Sequence, residues 1–152
     1  MFERRRLGTA LVCILLAALP SAVSAAPGGA RHRAEALLGR SGVQGGLAVH
    51  VGCGGGRMTA GLYAGEGWCV QGLDRDPADV RKARSHVRSR GLYGDVTIRT
   101  WDGTRLPYAS GVVNLLVVDS APVDEEEMMR VLAPGGAACV RQNDGWTTKR
   151  KP

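Results

Sequence analysis

Residues 47–56 read LAVHVGCGGG. Leu47 to Val51 are apolar except for His50 and include two valines, a composition that predicts a strand. Gly52, Gly54, Gly55 and Gly56 predict a loop, because glycine lets the backbone turn tightly and lets a ligand approach the main chain with no Cβ in the way. Residues 58–64 predict a short helix, weakened by Gly61. A helix start after such a loop offers unpaired N–H groups and a positive dipole end to an anionic group. A glycine-rich turn alone is only a turn. Its place between a strand and a helix makes Gly52, Gly54 and Gly56 candidate ligand-binding residues.

The same alternation extends in both directions. Residues 30–38 predict a helix with Ala34, Leu37 and Leu38 on one face, followed by a glycine-rich connector over 39–46. Residues 68–73 predict a second strand, closed by Asp74. Residues 77–90 predict a helix with Pro77 in its first turn, an apolar face of Val80, Ala83 and Val87, and Gly91 as its stop. Residues 96–100 and 112–118 predict a third and a fourth strand, the fourth almost wholly apolar, as in a strand covered on both faces. Asp124 and Glu127 predict a capping box ahead of a helix over 128–132, and Pro134-Gly135-Gly136 a turn into a fifth strand over 137–140. The polar, basic residues 141–152 predict a frayed tail or linker. Strands separated by helices imply right-handed crossovers. The expected fold is therefore α/β, a doubly wound, mostly parallel Rossmann-like sheet of five strands. Ligands of such sheets sit at the carboxyl ends of the strands, near the switch in strand order.

The length of 152 residues allows one domain of ordinary size, with 44% apolar and 22% charged residues giving a globular balance. Three Trp, three Tyr and one Phe are too few for a single-stranded nucleic-acid platform, which stacks bases on rings. The net charge of +6 is scattered along the chain. Arg4, Arg5 and Arg6 precede an uncharged, mostly apolar run over 7–19, Pro20 breaks it, and Val23-Ser24-Ala25 offers small residues for cleavage. That is the pattern of a secretory signal over 1–25, and the run is short of the ~20 residues a spanning helix needs. Removing its three arginines and one glutamate lowers the charge from +6 to +4. The expected location is therefore periplasmic or secreted. Cys53, Cys69 and Cys139 remain, an odd number at wide spacings, which is neither a disulfide framework nor a zinc site.

Three acidic residues end predicted strands, and each reads two ways. Asp74 either accepts hydrogen bonds from the two hydroxyls of a ribose or serves the turn and helix that begin at Asp76-Pro77. Asp102-Gly103 either pairs with the amino edge of an adenine or forms a turn. Asp119, in Asp119-Ser120-Ala121-Pro122, either faces the reacting end of a ligand or is a turn residue.

VHVGCGGG, GLDRDP, WDGTRLPYA, VVNLLVVD and RVLAPGG, in this order and spacing over about 47–140, resemble the successive motifs of class I S-adenosylmethionine-dependent methyltransferases. Leu106-Pro107-Tyr108 and the segment from Arg130 to Gly136 are most similar to the small-molecule subgroup. The resemblance implies S-adenosylmethionine as cofactor and a small-molecule acceptor. Gly52, Gly54 and Gly56 would line its methionine part, Asp74 would hold the ribose, Asp102 with Gly103 the adenine, and Asp119 would lie near the transferred methyl. His50 and Asn114 depart from it, since the family usually carries acids there. The family also adds two strands beyond the fifth, one of them antiparallel, and these C-terminal strands are expected to be missing here. A methyltransferase fold behind a leader resembles the N-terminal module of large exported proteins with quinoprotein-like propellers, which would make a propeller a possible partner domain. Three functions compete: methyl transfer, a binding or assembly module that kept the fold without turnover, and a nicotinamide-dependent oxidoreductase. The last ranks lowest, because Arg57 follows Gly56 and no third glycine falls at the dinucleotide spacing.

Overall fold

A computed structural model describes residues 29–143 and 145–152, so the leader expected over 1–25 lies outside the described residues. The elements run α1 (Ala30–Ser41), β1 (Gly46–Val51), α2 (Arg57–Gly61), β2 (Trp68–Asp74), α3 (Pro77–Ser89), β3 (Val96–Thr100), β4 (Val113–Val118), α4 (Glu125–Val131), β5 (Leu132–Gln142) and β6 (Gly145–Arg150). They form one six-stranded sheet in the order β3-β2-β1-β4-β5-β6, in which only β6 runs antiparallel. The chain leaves β1 toward β2 on one side and enters β4 on the other, so the strand order reverses at β1. That reversal opens a crevice beyond its carboxyl end.

The two faces of the sheet bury separate cores. Alternate residues of the strands (Ala48, Val70, Val96, Ile98, Leu115, Val117) pack against Ala34 and Leu37 of α1, Met58 of α2, and Val80, Ala83 and Val87 of α3. The intervening residues (Val49, Val51, Leu73, Leu116, Val118) pack with Trp101 and Leu106 of the β3–β4 loop and Met128 and Val131 of α4. Period-2 alternation in strands buried on both sides produces this division. The apolar faces read from the sequence for α1 and α3 are the faces that are buried.

Two expectations are corrected. The stretch expected to be a frayed tail contains β6, which pairs with β5 from Gln142↔Gly145 to Ala137↔Arg150. The ladder continues one residue further, through Gly135 N to Lys151 O and Lys151 N to Gly136 O, both at 3.0 Å. Trp146 packs against the helix-covered core and Thr148 Oγ1 lies 3.7 Å from Cys139 Sγ, so an alternating inward face anchors this polar strand. Six strands result instead of five, and the expectation that every strand beyond the fifth is missing is overturned by this antiparallel one. The capping box does not form either. Asp124 stands at the N-cap of α4, but its side chain makes no capping bond, and Glu127 is engaged elsewhere. Among the described residues no helix is long and apolar enough to cross a membrane.

Candidate functional site

The carboxyl ends of β1, β2, β3 and β4 bring the candidate residues together. Gly52 N and Cys53 N both donate to Leu73 O, at 2.9 and 3.1 Å, which folds the glycine loop back over β2. Gly52 and Gly56 hold φ of +76° and +75°, and a Cβ on either would stand 2.8 Å from its nearest neighbour, Ser120 N or Ala83 Cβ. These two glycines are required by the fold. Gly54 and Gly55 differ, because a Cβ on either would meet no atom within 4 Å. The middle of the loop therefore presents bare backbone to open space.

Asp74 supports that loop. Its Oδ2 accepts from Gly54 N at 2.7 Å and its Oδ1 from Asp76 N at 3.0 Å. One bond per oxygen leaves acceptor capacity on a half-buried carboxylate. The helix-capping role falls to Asp76, whose Oδ1 accepts from Ala78 N at 2.7 Å. Trp101 N donates to Asp74 O at 2.8 Å and holds the start of the β3–β4 loop beside the tip of β2. Asp102 Oδ1 accepts from Thr104 N at 2.9 Å and from Thr104 Oγ1 at 2.6 Å. These bonds hold its carboxyl below the usual carboxylate range, with nearby Arg75 adding to the effect. The Arg75 side chain lies against Gly103, where a Cβ would be 2.5 Å from the guanidinium carbon, so the glycine makes room for it.

On the other side of the crevice, Asp119 N donates to Val51 O at 3.0 Å. The Asp119 carboxylate pairs with Arg141 Nη1 of β5 at 2.8 Å, its side chain 18% exposed against 47% for the arginine. Arg141 was hidden from sequence reasoning by its place in the apparent tail. Asn114 also has a structural role, accepting from Leu47 N at 2.9 Å through Oδ1.

Beneath the loop lies His50, 1% exposed. Its Nδ1 is 2.8 Å from Thr59 Oγ1 of α2, and its Nε2 has no partner. Burial lowers its pKa to about 4 against the pull of Asp119 and Asp74, so the ring is neutral at pH 7. Cys53 sits nearby, where burial first and the charge of Asp74 second push its thiol up to about 12, which removes it as a nucleophile. A cavity of about 720 Å³ lies elsewhere, between α1, α2 and α3, and includes none of the candidate residues.

A doubly wound sheet with a bare glycine loop at its switch point and carboxylates at the tips of adjacent strands defines a Rossmann-like α/β protein. Comparison with known proteins narrows the class. Residues 48–136, more than half of the chain, match the methyltransferase domain family, and the chain belongs to it. A similar curated protein is Methyltransferase GfsG of Streptomyces halstedii, 30% identical over 129 residues that span 80% of this chain and 46% of the relative. Among solved structures, geranyl diphosphate methyltransferase in complex with SAM superposes with a TM-score of 0.64 at 25% identity, over 72% of this chain and 48% of that one. The geranyl diphosphate C-methyltransferase of Streptomyces coelicolor A3(2), with Mg2+, geranyl diphosphate and S-adenosyl-L-homocysteine, has a TM-score of 0.64 at 23% identity over 71% and 42% of the two chains. The chain thus spans about half the length of these relatives.

Proposed function

We propose that this chain binds S-adenosylmethionine across the carboxyl ends of β1, β2 and β3 and serves methyl transfer to a small-molecule acceptor. The observation that carries the reading is the coupling of Asp74 to Gly54 at 2.7 Å, which sets a carboxylate with spare acceptor capacity beside bare loop backbone. Two further observations fit the cofactor. The open space at Gly54 and Gly55 admits a group against the main chain, and the orphaned Nε2 of His50 leaves a buried polar atom for which a ligand or its water is a natural partner. In this reading Gly52, Gly54 and Gly56 shape the methionine end, Asp74 holds the ribose, and Asp102 with Gly103 meets the adenine. Asp119, steadied by Arg141, stands toward the transferred methyl.

When bound, the cofactor would supply an electrophilic methyl on its sulfonium: an electron pair of the acceptor would form the new bond to carbon as the carbon–sulfur bond breaks with its electrons left on sulfur, and the acceptor's displaced proton would pass to solvent. Alignment supplies much of the rate of such a displacement, so this chain needs no strong acid–base pair. Similarity to the two geranyl diphosphate methyltransferases supports a small-molecule acceptor. The basic start, apolar run and small residues of 1–25 support export with cleavage after Ala25, read out by the intact mass of the exported protein.

Calorimetry with S-adenosylhomocysteine tests the binding. Asp74→Ala is expected to lose about 2 kcal/mol, the scale for hydrogen bonds to a charged acceptor. Equal affinity in both forms, or selective binding of a nicotinamide dinucleotide, overturns the reading. Release of S-adenosylhomocysteine during incubation with a panel of small acceptors tests the transfer.

A further inference from the structure

Glu127 reads in sequence as half of a capping box, yet its side chain points away from the start of α4. Its two oxygens grip the guanidinium of Arg130, Oε2 from Nε at 2.7 Å and Oε1 from Nη2 at 2.6 Å. The pair is only 18% exposed on each side and shares its remaining capacity with one segment of main chain. Leu106 N donates to Glu127 Oε1 at 2.7 Å, while Arg130 donates to Leu106 O through Nη2 at 3.2 Å and to Tyr108 O through Nη1 at 2.8 Å. Between them stands Pro107, which has no N–H to satisfy. The side-chain pair thus does for this loop what a neighbouring strand does in a sheet.

The grip is transmitted toward the crevice. Leu106 is buried and follows Arg105, whose carbonyl accepts from Trp101 Nε1 at 3.1 Å. Trp101 is itself buried, bonded through its N–H to Asp74 O at 2.8 Å, and precedes Asp102 and Gly103. The far end of the loop is tied to the same helix, Gly111 N to Arg130 O at 2.9 Å and Val112 N to Val131 O at 3.0 Å. The β3–β4 loop is thus tied to α4 at its middle, Leu106 and Tyr108, and at its far end, Gly111 and Val112, while its start is held by Asp74 O.

We infer that the Glu127–Arg130 pair is a positioning device that holds the β3–β4 loop so that Asp102 and Gly103 keep a fixed place beside Asp74, and thereby sets affinity for the adenosine part of the ligand. The second half of this inference rests on the cofactor reading above. The first half concerns the loop alone.

Arg130→Lys keeps the charge but cannot span two carbonyls and a carboxylate at once. In this variant amide exchange over 102–108 should quicken while exchange in β1 and β4 is unchanged. Affinity for S-adenosylhomocysteine and for 5′-methylthioadenosine should fall by the same factor, about tenfold, the loss expected for charge-assisted hydrogen bonds. Glu127→Gln keeps an acceptor for Leu106 N and should fall between wild type and Arg130→Lys. It decides the matter if the first variant does not fold. Unchanged exchange over 102–108 overturns the positioning role. Quickened exchange with undiminished affinity for both ligands overturns its link to adenosine. A wild-type chain that binds neither ligand refutes the cofactor reading, and the exchange result then still decides the role of the pair.

Discussion

His50 is buried, bonded through Nδ1, orphaned at Nε2 and near two carboxylates. Its pKa falls from 6.5 to about 4 on folding. Between those values the unfolded chain holds a proton that the folded chain does not, so stability is complete above pH 6.5 and declines as pH falls toward 4. The shift corresponds to about 3 kcal/mol. Urea titrations at pH 7 and pH 4.5 should show this loss in the wild type and less of it in His50→Gln, which cannot take up the proton. Equal losses would place the titration elsewhere. The glycine loop offers a paired test. Gly56→Ala forces a φ of +75° on an L-residue and drives a methyl against Ala83, so it should cost about 2 kcal/mol or more. Gly55→Ala meets open space and should leave stability within about 0.5 kcal/mol while lowering affinity for S-adenosylhomocysteine. Unaltered affinity would mean that the loop is not a ligand wall.

At the scale of elements, the sequence was readable where apolar residues recur at the element's own period and opaque where they do not. The apolar run of β4 and the face of α3 announce themselves because every second or every third to fourth residue must leave water. β6 is an edge strand that buries one face, and Thr147, Lys149 and Arg150 follow the habit of edges in being polar. Two signals were nonetheless present: Asn143-Asp144-Gly145, a turn sequence, and Trp146-Thr147-Thr148, which favours strand. The glycine loop and the strand-tip carboxylates were legible as candidates because their residue types stand out at the ends of predicted strands. Arg141 and the Glu127–Arg130 pair were not, since a side chain's partner across the fold leaves no local trace. Asn143 allows a direct test of the hairpin. It holds a φ of +49°, which asparagine tolerates and a β-branched residue does not. Asn143→Val should therefore destabilise the chain by about 1–2 kcal/mol and Asn143→Gly should be nearly neutral. A neutral valine variant would show that the β5–β6 turn adds nothing to stability.

For the whole molecule, the proposed site lies where separate parts of the fold meet. Gly52 to Gly56 belong to the β1–α2 connection, Asp74 to β2, and Asp102 with Gly103 to a loop held by α4. These pieces are cross-linked through Leu73 O, Asp74 O and the Asp74 carboxylate, so a ligand that bridges them stabilises only the assembled fold. Linkage then fixes the size of the effect. A ligand at one hundred times its Kd adds about 2.7 kcal/mol to the stability of the folded state. For a domain of this size that raises Tm by about 10 °C. S-adenosylhomocysteine at that excess should produce such a shift in the wild type and a clearly smaller one at the same concentration in Asp74→Ala. NADH at equal concentration should produce none, because Arg57 stands where a dinucleotide loop carries its third glycine, the one that lets its helix pack closely on the strand. An equal shift from both ligands would reduce the crevice to a general nucleotide-binding surface. A shift from NADH alone would return the chain to the oxidoreductase reading.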